Sequence, residues 1–314
     1  MSRFKVLVTD QVFPTLDIER ELLGAIDAEI LVGDGSIEQA TQLGVEADAL
    51  LNTYLPVTPA LISRLGRCRI IARYGIGVDN VDLAAAKEAG IIVTNVPDYS
   101  VEEVAAHAAA MMLSLLRKLP QADSHFRGGG WGIEALRPIQ RISELTFGLI
   151  GFGRIARRLA ASIEVLGAKL IVHDPYVSAG PGIPPLVSLS ELAAGADVIS
   201  VHSPLTAETE GMINASFIDR MRRGAFLVNT SRGKLVVLDD VLAALRSGKL
   251  GGAGLDVFDV EPMDPSRIKG VPNLVLSPHM AYYSEQSLAE SQQKAATQIV
   301  KVLTGGDPDY RVNP

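Results

Sequence analysis

Short apolar runs recur along the whole chain, and helix-like patterns separate them. Residues 4–8, FKVLV, read as a first buried strand, and 17–23 as a helix. Runs at 29–32, 49–51, 70–72 and 91–94 follow, with helical patterns at 37–43, 59–65 and 81–89. Runs this short and this uniformly apolar predict strands covered on both faces. Strands alternating with helices predict a parallel α/β sheet, with ligand sites beyond the C-terminal ends of its strands. This first unit covers residues 1–98.

The segment Asn95-Val96-Pro97-Asp98-Tyr99 then predicts a linker. Ser100, with Glu103 at the third following position, predicts a capping box that opens a long helix. From Val104 to Leu116 this helix is apolar almost all round, so burial is expected, against its own domain or a second subunit. His107 within it reads as a core histidine. The stretch Arg127-Gly128-Gly129-Gly130-Trp131-Gly132 predicts a surface loop. After a charged stretch to Glu144, strands are expected at 147–150, 169–173, 197–201, 225–229, 251–255 and 274–276. Helices fall near 189–194, 215–221 and 239–247, and a last one at 285–303.

Composition narrows the class of partner. The chain of 314 residues carries 36 acidic and 29 basic side chains, a formal charge of −7. That balance argues against nucleic acid or an anionic membrane as the main partner. With 47% hydrophobic residues, two domains can each bury a core. The single cysteine, Cys68, excludes an internal disulfide framework and reads as a buried thiol before IIARY. No apolar run approaches the ~18 residues of a membrane helix. The N-terminal MSRFKVLVTD enters a strand-like run at once and lacks the features of a signal peptide, so the expected location is the cytoplasm.

Candidate chemistry starts at TFGLIGFGRIAR, residues 146–157. Gly151, Gly153 and Ala156 have the spacing G-x-G-x-x-G/A between a strand and a helix. The first small residue makes the tight turn, the second lets phosphates approach the backbone, and the third lets helix pack on strand. The helix N-terminus adds positive potential, so the turn suits a dinucleotide pyrophosphate. Asp174 follows Ala156 by 18 positions and ends the next strand. It is placed to accept hydrogen bonds from ribose hydroxyls, and its charge would repel a 2′-phosphate, which favours NAD over NADP.

Later strand ends gather on the same side of a doubly wound sheet. They carry His202-Ser203-Pro204-Leu205-Thr206, Thr230-Ser231-Arg232-Gly233, Asp256 with Glu261, and Pro278-His279. Hydride transfer to a 2-keto acid needs a cationic fork for the carboxylate and carbonyl, a proton donor for the carbonyl oxygen, and a group that keeps that donor protonated. Arg232, His279 and Glu261 supply those three chemistries. No metal enters the scheme. In the first unit, Arg73-Tyr74-Gly75-Ile76-Gly77-Val78-Asp79 offers two glycines whose exposed N–H groups can face a carboxylate.

These segments together resemble the D-isomer-specific 2-hydroxyacid dehydrogenases over essentially the whole chain. The matching stretches are RYGIGVDNVD (73–82), GFGRIAR (151–157), HDPY (173–176), HSPLT (202–206), GAFLVNTSRG (224–233), GAGLDVFDVEP (252–262) and SPHMAYYSEQ (277–286). The chain is most similar to the phosphoglycerate-dehydrogenase-like and C-terminal-binding-protein-like branch. The resemblance implies two doubly wound parallel-sheet domains. A Rossmann NAD-binding domain, 100–284, is inserted into a flavodoxin-like substrate domain, 1–99 with 285–314. It also implies a homodimer built largely through the helix starting at Val101.

By the family pattern, Arg232, Glu261 and His279 are the catalytic set, and Gly75, Ile76 and Gly77 hold the substrate carboxylate together with Arg232. Tyr54 and Tyr282 lie where substrate side-chain contacts are expected. The NAD site would be lined by Gly151, Phe152, Gly153, Arg154, Ile155, Asp174, His202, Ser203, Pro204, Thr209, Thr230, Ser231, Arg232, Asp256 and His279. The implied reaction moves a hydride between nicotinamide and C2 of a small D-2-hydroxy acid or 2-keto acid. An NAD(H)-sensing, corepressor-like binding module with vestigial activity is the alternative. Ala106 stands where the family commonly has Glu, and Ala156 replaces the third glycine; neither touches the catalytic set.

Overall fold

The computed structural model of the chain describes residues 3–313. The chain divides into two compact units, Met1–Tyr99 with Ser284–Pro314, and Ser100–Tyr283.

In the first unit the strands are β1 (Phe4–Val8), β2 (Ala28–Val32), β3 (Ala49–Asn52), β4 (Ile70–Arg73) and β5 (Ile92–Thr94). Between them run α1 (Asp17–Gly24), α2 (Ile37–Gly44), α3 (Pro59–Ile62) and α4 (Leu83–Glu88). The sheet is parallel, in the order β2-β1-β3-β4-β5. Successive side chains on a strand point to opposite faces, so each strand feeds two cores. Val6, Val8, Leu51 and Ala72 join one, Leu7, Leu50 and Ile71 the other. The first of these is completed by Ala295, Ile299, Val302 and Leu303 from residues 285–303, the last helix of the chain. The edge of β5 is covered as well. Val312 N–H donates to Val93 O (2.9 Å), and Asn313 accepts from Val93 N–H and donates to Ile91 O, both at 2.8 Å. Pairing an edge strand in this way removes exposed backbone groups.

The second unit opens with α5 (Val101–Leu116) and α6 (Leu119–Arg127). Then come β6 (Thr146–Ile150), α7 (Arg154–Glu164), β7 (Lys169–His173), α8 (Leu189–Gly195), β8 (Val198–Val201), α9 (Ala215–Arg220), β9 (Ala225–Asn229), α10 (Leu238–Arg246), β10 (Leu250–Leu255) and β11 (Leu274–Leu276). The helix 285–303, α11, returns the chain to the first unit. The six strands are parallel, in the order β11-β10-β9-β8-β6-β7. In both units the first strand is flanked by the second and the third. The direction of winding therefore reverses beside β1 and beside β6, and such switch points are where open α/β sheets bind ligands.

Two local expectations fail, and one helix goes unpredicted, for identifiable reasons. Ser100 is the N-cap of α5, but its side chain makes no cap hydrogen bond. Its backbone, at φ −130° and ψ 25°, is not in the extended conformation that aims a cap oxygen at the first turn. The helix expected over 59–65 is α-helical only to Ile62. It closes with i→i+3 bonds from Arg64 to Leu61 and Leu65 to Ile62, while Leu65 stays buried. Helix α6 had no signal in the pattern, because none of its residues is buried. Lys118 in left-handed backbone (φ 51°) separates it from α5. Cys68 is buried, and desolvation pushes its thiol up to about 12, so it is an inert core group near neutral pH.

Candidate active site

Helix α7 buries Ala156, Leu159, Ala160 and Ile163, one stripe at helical spacing, against the sheet. That packing fixes the turn before it. Gly151 has φ +88°, and a Cβ there would lie 2.7 Å from the His202 carbonyl oxygen. Only glycine fits both constraints. Gly153 is the N-cap, without a side chain to occupy the helix start. Phe152 N–H donates to Asp174 Oδ2 (2.7 Å) and Tyr176 N–H to Asp174 Oδ1 (2.8 Å), so Asp174 sits against the glycine turn. Arg154 and Ile155 form the first turn of α7, and the Arg157 guanidinium lies 4.4 Å above the Phe152 ring.

The ends of β8 and β9 adjoin this turn. His202 N–H donates to Ile150 O (2.7 Å), and Ser203 Oγ to the same oxygen at 3.4 Å. Thr209 Oγ1 donates to Pro204 O and accepts from Thr206 N–H, both at 2.8 Å. Ser231 Oγ donates to Val201 O (2.7 Å). Two atoms here are buried without a protein partner among the described residues, His202 Nε2 and Thr230 Oγ1. Burial pushes His202 down to about 4, so its ring is neutral near pH 7. An orphaned buried polar atom costs about 1–3 kcal/mol, and a ligand that hydrogen-bonds it recovers that cost.

Beyond β9 and β10 the structure brings Arg232, Glu261 and His279 together. His279 Nδ1 lies 2.6 Å from Glu261 Oε2, and Glu261 Oε1 accepts from Phe258 N–H at 2.8 Å. Burial works to raise the Glu261 carboxyl. The bonds from His279 and Phe258, with the nearby charge of Arg232, outweigh it and hold the group below the usual glutamate range. Glu261 is therefore ionised at neutral pH. Its loop is clamped by Arg267, which pairs with Asp259 (2.9 Å) and with Asp239 of α10 (3.1 Å). The Tyr282 ring stands edge-on to His279, centroids 6.2 Å apart.

His279 itself has left-handed backbone, φ 51°. The loop that carries it wraps around Asp256, which is only 1% exposed. His279 N–H donates to Asp256 O (2.7 Å). The Asp256 carboxylate accepts from Ser277 Oγ (2.5 Å), Met280 N–H (2.9 Å) and Ala281 N–H (3.0 Å). Ser277 gives its only hydroxyl proton to Asp256, so it accepts from His107 Nε2 at 2.8 Å. His107 is half-buried and satisfied, but its partner belongs to the His279 loop. The sequence carries no periodic signal for this chain of contacts.

In the first unit, the carbonyls of Gly75 and Ile76 accept from Val96 N–H (3.1 Å) and Asn95 Nδ2 (2.7 Å). The N–H groups of Gly75, Ile76 and Gly77 donate to no protein group among the described residues. Three successive N–H groups are thus left without a protein acceptor, beside two tethered carbonyls. The Arg73 guanidinium lies across Gly75, where a Cβ would overlap it, and Arg73 Nε donates to Asn80 Oδ1 (3.1 Å). The neighbouring loop is filled from within. Asp10, at the end of β1, accepts from Thr53, Tyr54 and Leu55 N–H. Asp10 was missed by pattern; its place directly after a buried strand was the available signal. Tyr54 is exposed on this loop, and Arg64 is exposed on the surface.

The chain matches the family described as D-isomer specific 2-hydroxyacid dehydrogenase, NAD binding domain, over residues 109–281. The D-3-phosphoglycerate dehydrogenase of Synechocystis sp. is 33% identical over 307 residues, 96% of this chain and 54% of that protein. The chain spans about half the length of the curated relatives it matches. A solved D-lactate dehydrogenase from Aquifex aeolicus, complexed with NAD and lactic acid, is 30% identical. It superposes with a TM-score of 0.91 over 98% of this chain and 99% of that one. A glyoxylate reductase from Paecilomyes thermophila is 26% identical, with a TM-score of 0.89 over 99% and 98%. This chain belongs to the D-isomer-specific 2-hydroxyacid dehydrogenase family, and residues 109–281 match that family's NAD-binding domain. The cradle at Gly151 and the orphaned atoms of His202 and Thr230 fit NAD. The turn leaves room for phosphates, and the orphaned atoms at the strand ends would suit a group that can hydrogen-bond them.

Gly151→Ala should therefore weaken NADH binding by more than tenfold in a fluorescence titration. It would also lower stability by about 1–3 kcal/mol, the usual cost of a strained non-glycine backbone. Unchanged NADH affinity would show that the turn does not seat the cofactor.

Proposed function

We propose that this chain is an NAD-dependent oxidoreductase that interconverts a small D-2-hydroxy acid and its 2-keto acid. The observation that carries the reading is the Glu261–His279 pair, 2.6 Å apart, with Arg232 beside it. Bound NAD(H) supplies or accepts the hydride at C2. In reduction, Arg232 holds the carboxylate and carbonyl oxygens through its fork. The N–H groups of Gly75–Gly77 are the carboxylate donors proposed for the first unit. His279 delivers its proton to the carbonyl oxygen from Nε2, because Nδ1 faces Glu261. The ionised Glu261 stabilises the positive ring that holds that proton and fixes its orientation. Oxidation runs the same transfers backwards, with His279 as the base. Tyr54 and Tyr282 are the proposed substrate side-chain contacts. The discontinuous unit would be the substrate domain and Ser100–Tyr283 the cofactor domain. Phosphoglycerate, lactate and glyoxylate, named by the relatives, share only the carboxylate beside an oxygen-bearing carbon, and these groups would read that common part.

We also infer a homodimer. The segment after α5 exposes Leu119, Phe126, Trp131 and Ile133, with Trp131 87% accessible and its ring 6.1 Å from Phe126. An apolar cluster of this kind on one continuous segment marks an association surface; the family resemblance implies a dimer with a second copy, built largely through the helix starting at Val101, and this segment follows that helix directly.

Three measurements test these readings. In a screen of NADH oxidation over 2-keto acids, at least one should turn over, and His279→Gln should cut kcat on it by roughly 10²–10⁴. Near-normal turnover of that variant would remove His279 from the chemistry. No turnover by the wild type would favour the cofactor-sensing module. Asp174→Ala should shift the NAD:NADP ratio of kcat/KM toward NADP by roughly tenfold to a hundredfold, the scale of a charged hydrogen bond. An unchanged ratio would show that Asp174 does not read the ribose. Sedimentation equilibrium should find a dimer, and Trp131→Glu with Phe126→Glu should convert it to monomer; a monomeric wild type would end the dimer reading.

A further inference from the structure

The first unit buries a carboxyl group that the proposed chemistry does not use. Glu19 of α1 is fully buried. Among the described residues it has no lysine or arginine within ion-pair distance; its neighbour Arg20 pairs with Asp17 instead. Desolvation pushes the Glu19 carboxyl up, against the hydrogen bonds it accepts. Those bonds come from two places. Tyr74 O–H donates to Oε1 at 2.8 Å. Gln292 of α11 donates through Nε2 to both oxygens, at 3.1 and 2.9 Å, and also to Thr15 O at 2.9 Å.

Tyr74 is the residue directly before the three free N–H groups. It is 2% exposed, and all its polar groups are engaged inside the unit. Its N–H donates to Asn52 O (3.0 Å), its carbonyl accepts from Ser291 Oγ of α11, and its hydroxyl goes to Glu19. Phe13 packs edge-on against its ring at 4.6 Å. The side chain is thus an anchor driven into the core, and Glu19 is what its tip holds. A carboxylate suits the place because donors approach it from both sides. An amide would present one acceptor and one donor, and the donor would face Gln292.

We propose that Glu19 is a positioning residue that acts through Tyr74 to set the N–H groups of Gly75, Ile76 and Gly77 for the substrate carboxylate. This rests on the reading of that loop as the carboxylate site. Gln292 and Ser291 lie early in α11, so the helix that completes the core also sets the loop. A lost anchor lets the loop relax and scatters the three donors, which weakens the proposed grip on the carboxylate. It leaves the Arg232–Glu261–His279 chemistry and the glycine turn unchanged.

The test uses Glu19→Gln and Tyr74→Phe in the full chain. With a 2-keto acid that the wild type reduces, KM for that acid should rise about tenfold, about 1.4 kcal/mol, while kcat and the KM for NADH stay within about twofold. A role confined to stability would lower active enzyme and kcat without this split. In parallel, hydrogen exchange with NADH present reads the 73–78 segment with and without oxamate, an unreactive 2-keto acid mimic. Oxamate should slow exchange there in the wild type. Exchange should be faster, and the protection lost, in both variants. Wild-type KM or wild-type exchange in the variants would overturn the proposal, as would a wild type that oxamate does not protect. A wild type that reduces no 2-keto acid yet shows oxamate protection, lost in the variants, would sink the proposed activity and leave Glu19 in its role. If one variant fails to fold, the other carries both readouts.

Discussion

The site depends on Asp256 holding a loop in a conformation it would otherwise leave. His279 has φ 51°, backbone that a non-glycine residue adopts only at a cost of about 1–3 kcal/mol. Asp256 answers with two N–H bonds and a hydroxyl bond to its carboxylate and one N–H bond to its carbonyl. Hydrogen bonds are worth roughly 0.5–1.5 kcal/mol each, so the four together are of the size needed to offset that strain. The histidine ring then meets Glu261 at 2.6 Å without having to search for it. A carboxylate at a strand end, which the family resemblance implies as a cofactor contact, is used here by the protein's own loop.

The same device recurs in the first unit with a different result. Asp10 fills the loop after β3 by accepting from three successive N–H groups, and Glu19 fills the cavity under Tyr74. Of the two neighbouring strand-end loops, one has its donors satisfied internally and the other keeps three donors free. Donors are therefore left open at Gly75–Gly77 and closed at Thr53–Leu55, although both are short loops at the same sheet edge. The difference is one acidic side chain at the end of β1.

How much of this the sequence carried follows from what kind of signal each feature leaves. Buried parallel strands are short apolar runs, so β1, β9 and β11 were legible to the residue. The glycine turn was legible because a positive φ and a close carbonyl leave only one residue type possible. Arg232, Glu261 and His279 were legible as candidates, since each is a reactive type at or shortly after a strand end, and the fold brings them together. Helix α6 left no trace because it buries nothing, and the Ser100 cap failed because capping depends on a backbone angle that letters do not carry. His107, Ser277, Asp10 and Glu19 were opaque for a related reason. Their roles lie in which oxygen meets which proton across segments far apart in the chain.

The return of α11 has a consequence for how the molecule is made. Ala295, Ile299, Val302 and Leu303 pack against Val6, Leu51 and Ala72, nearly the whole chain apart. A ribosome delivers the first sheet well before the helix that covers it. The intervening unit, Ser100–Tyr283, has both halves of its own core in one continuous stretch and can close while the first sheet still waits with an uncovered apolar face. The first sheet is thus made before the second unit and completed by residues that follow it. During that interval the newborn chain is most exposed to sticking to its neighbours.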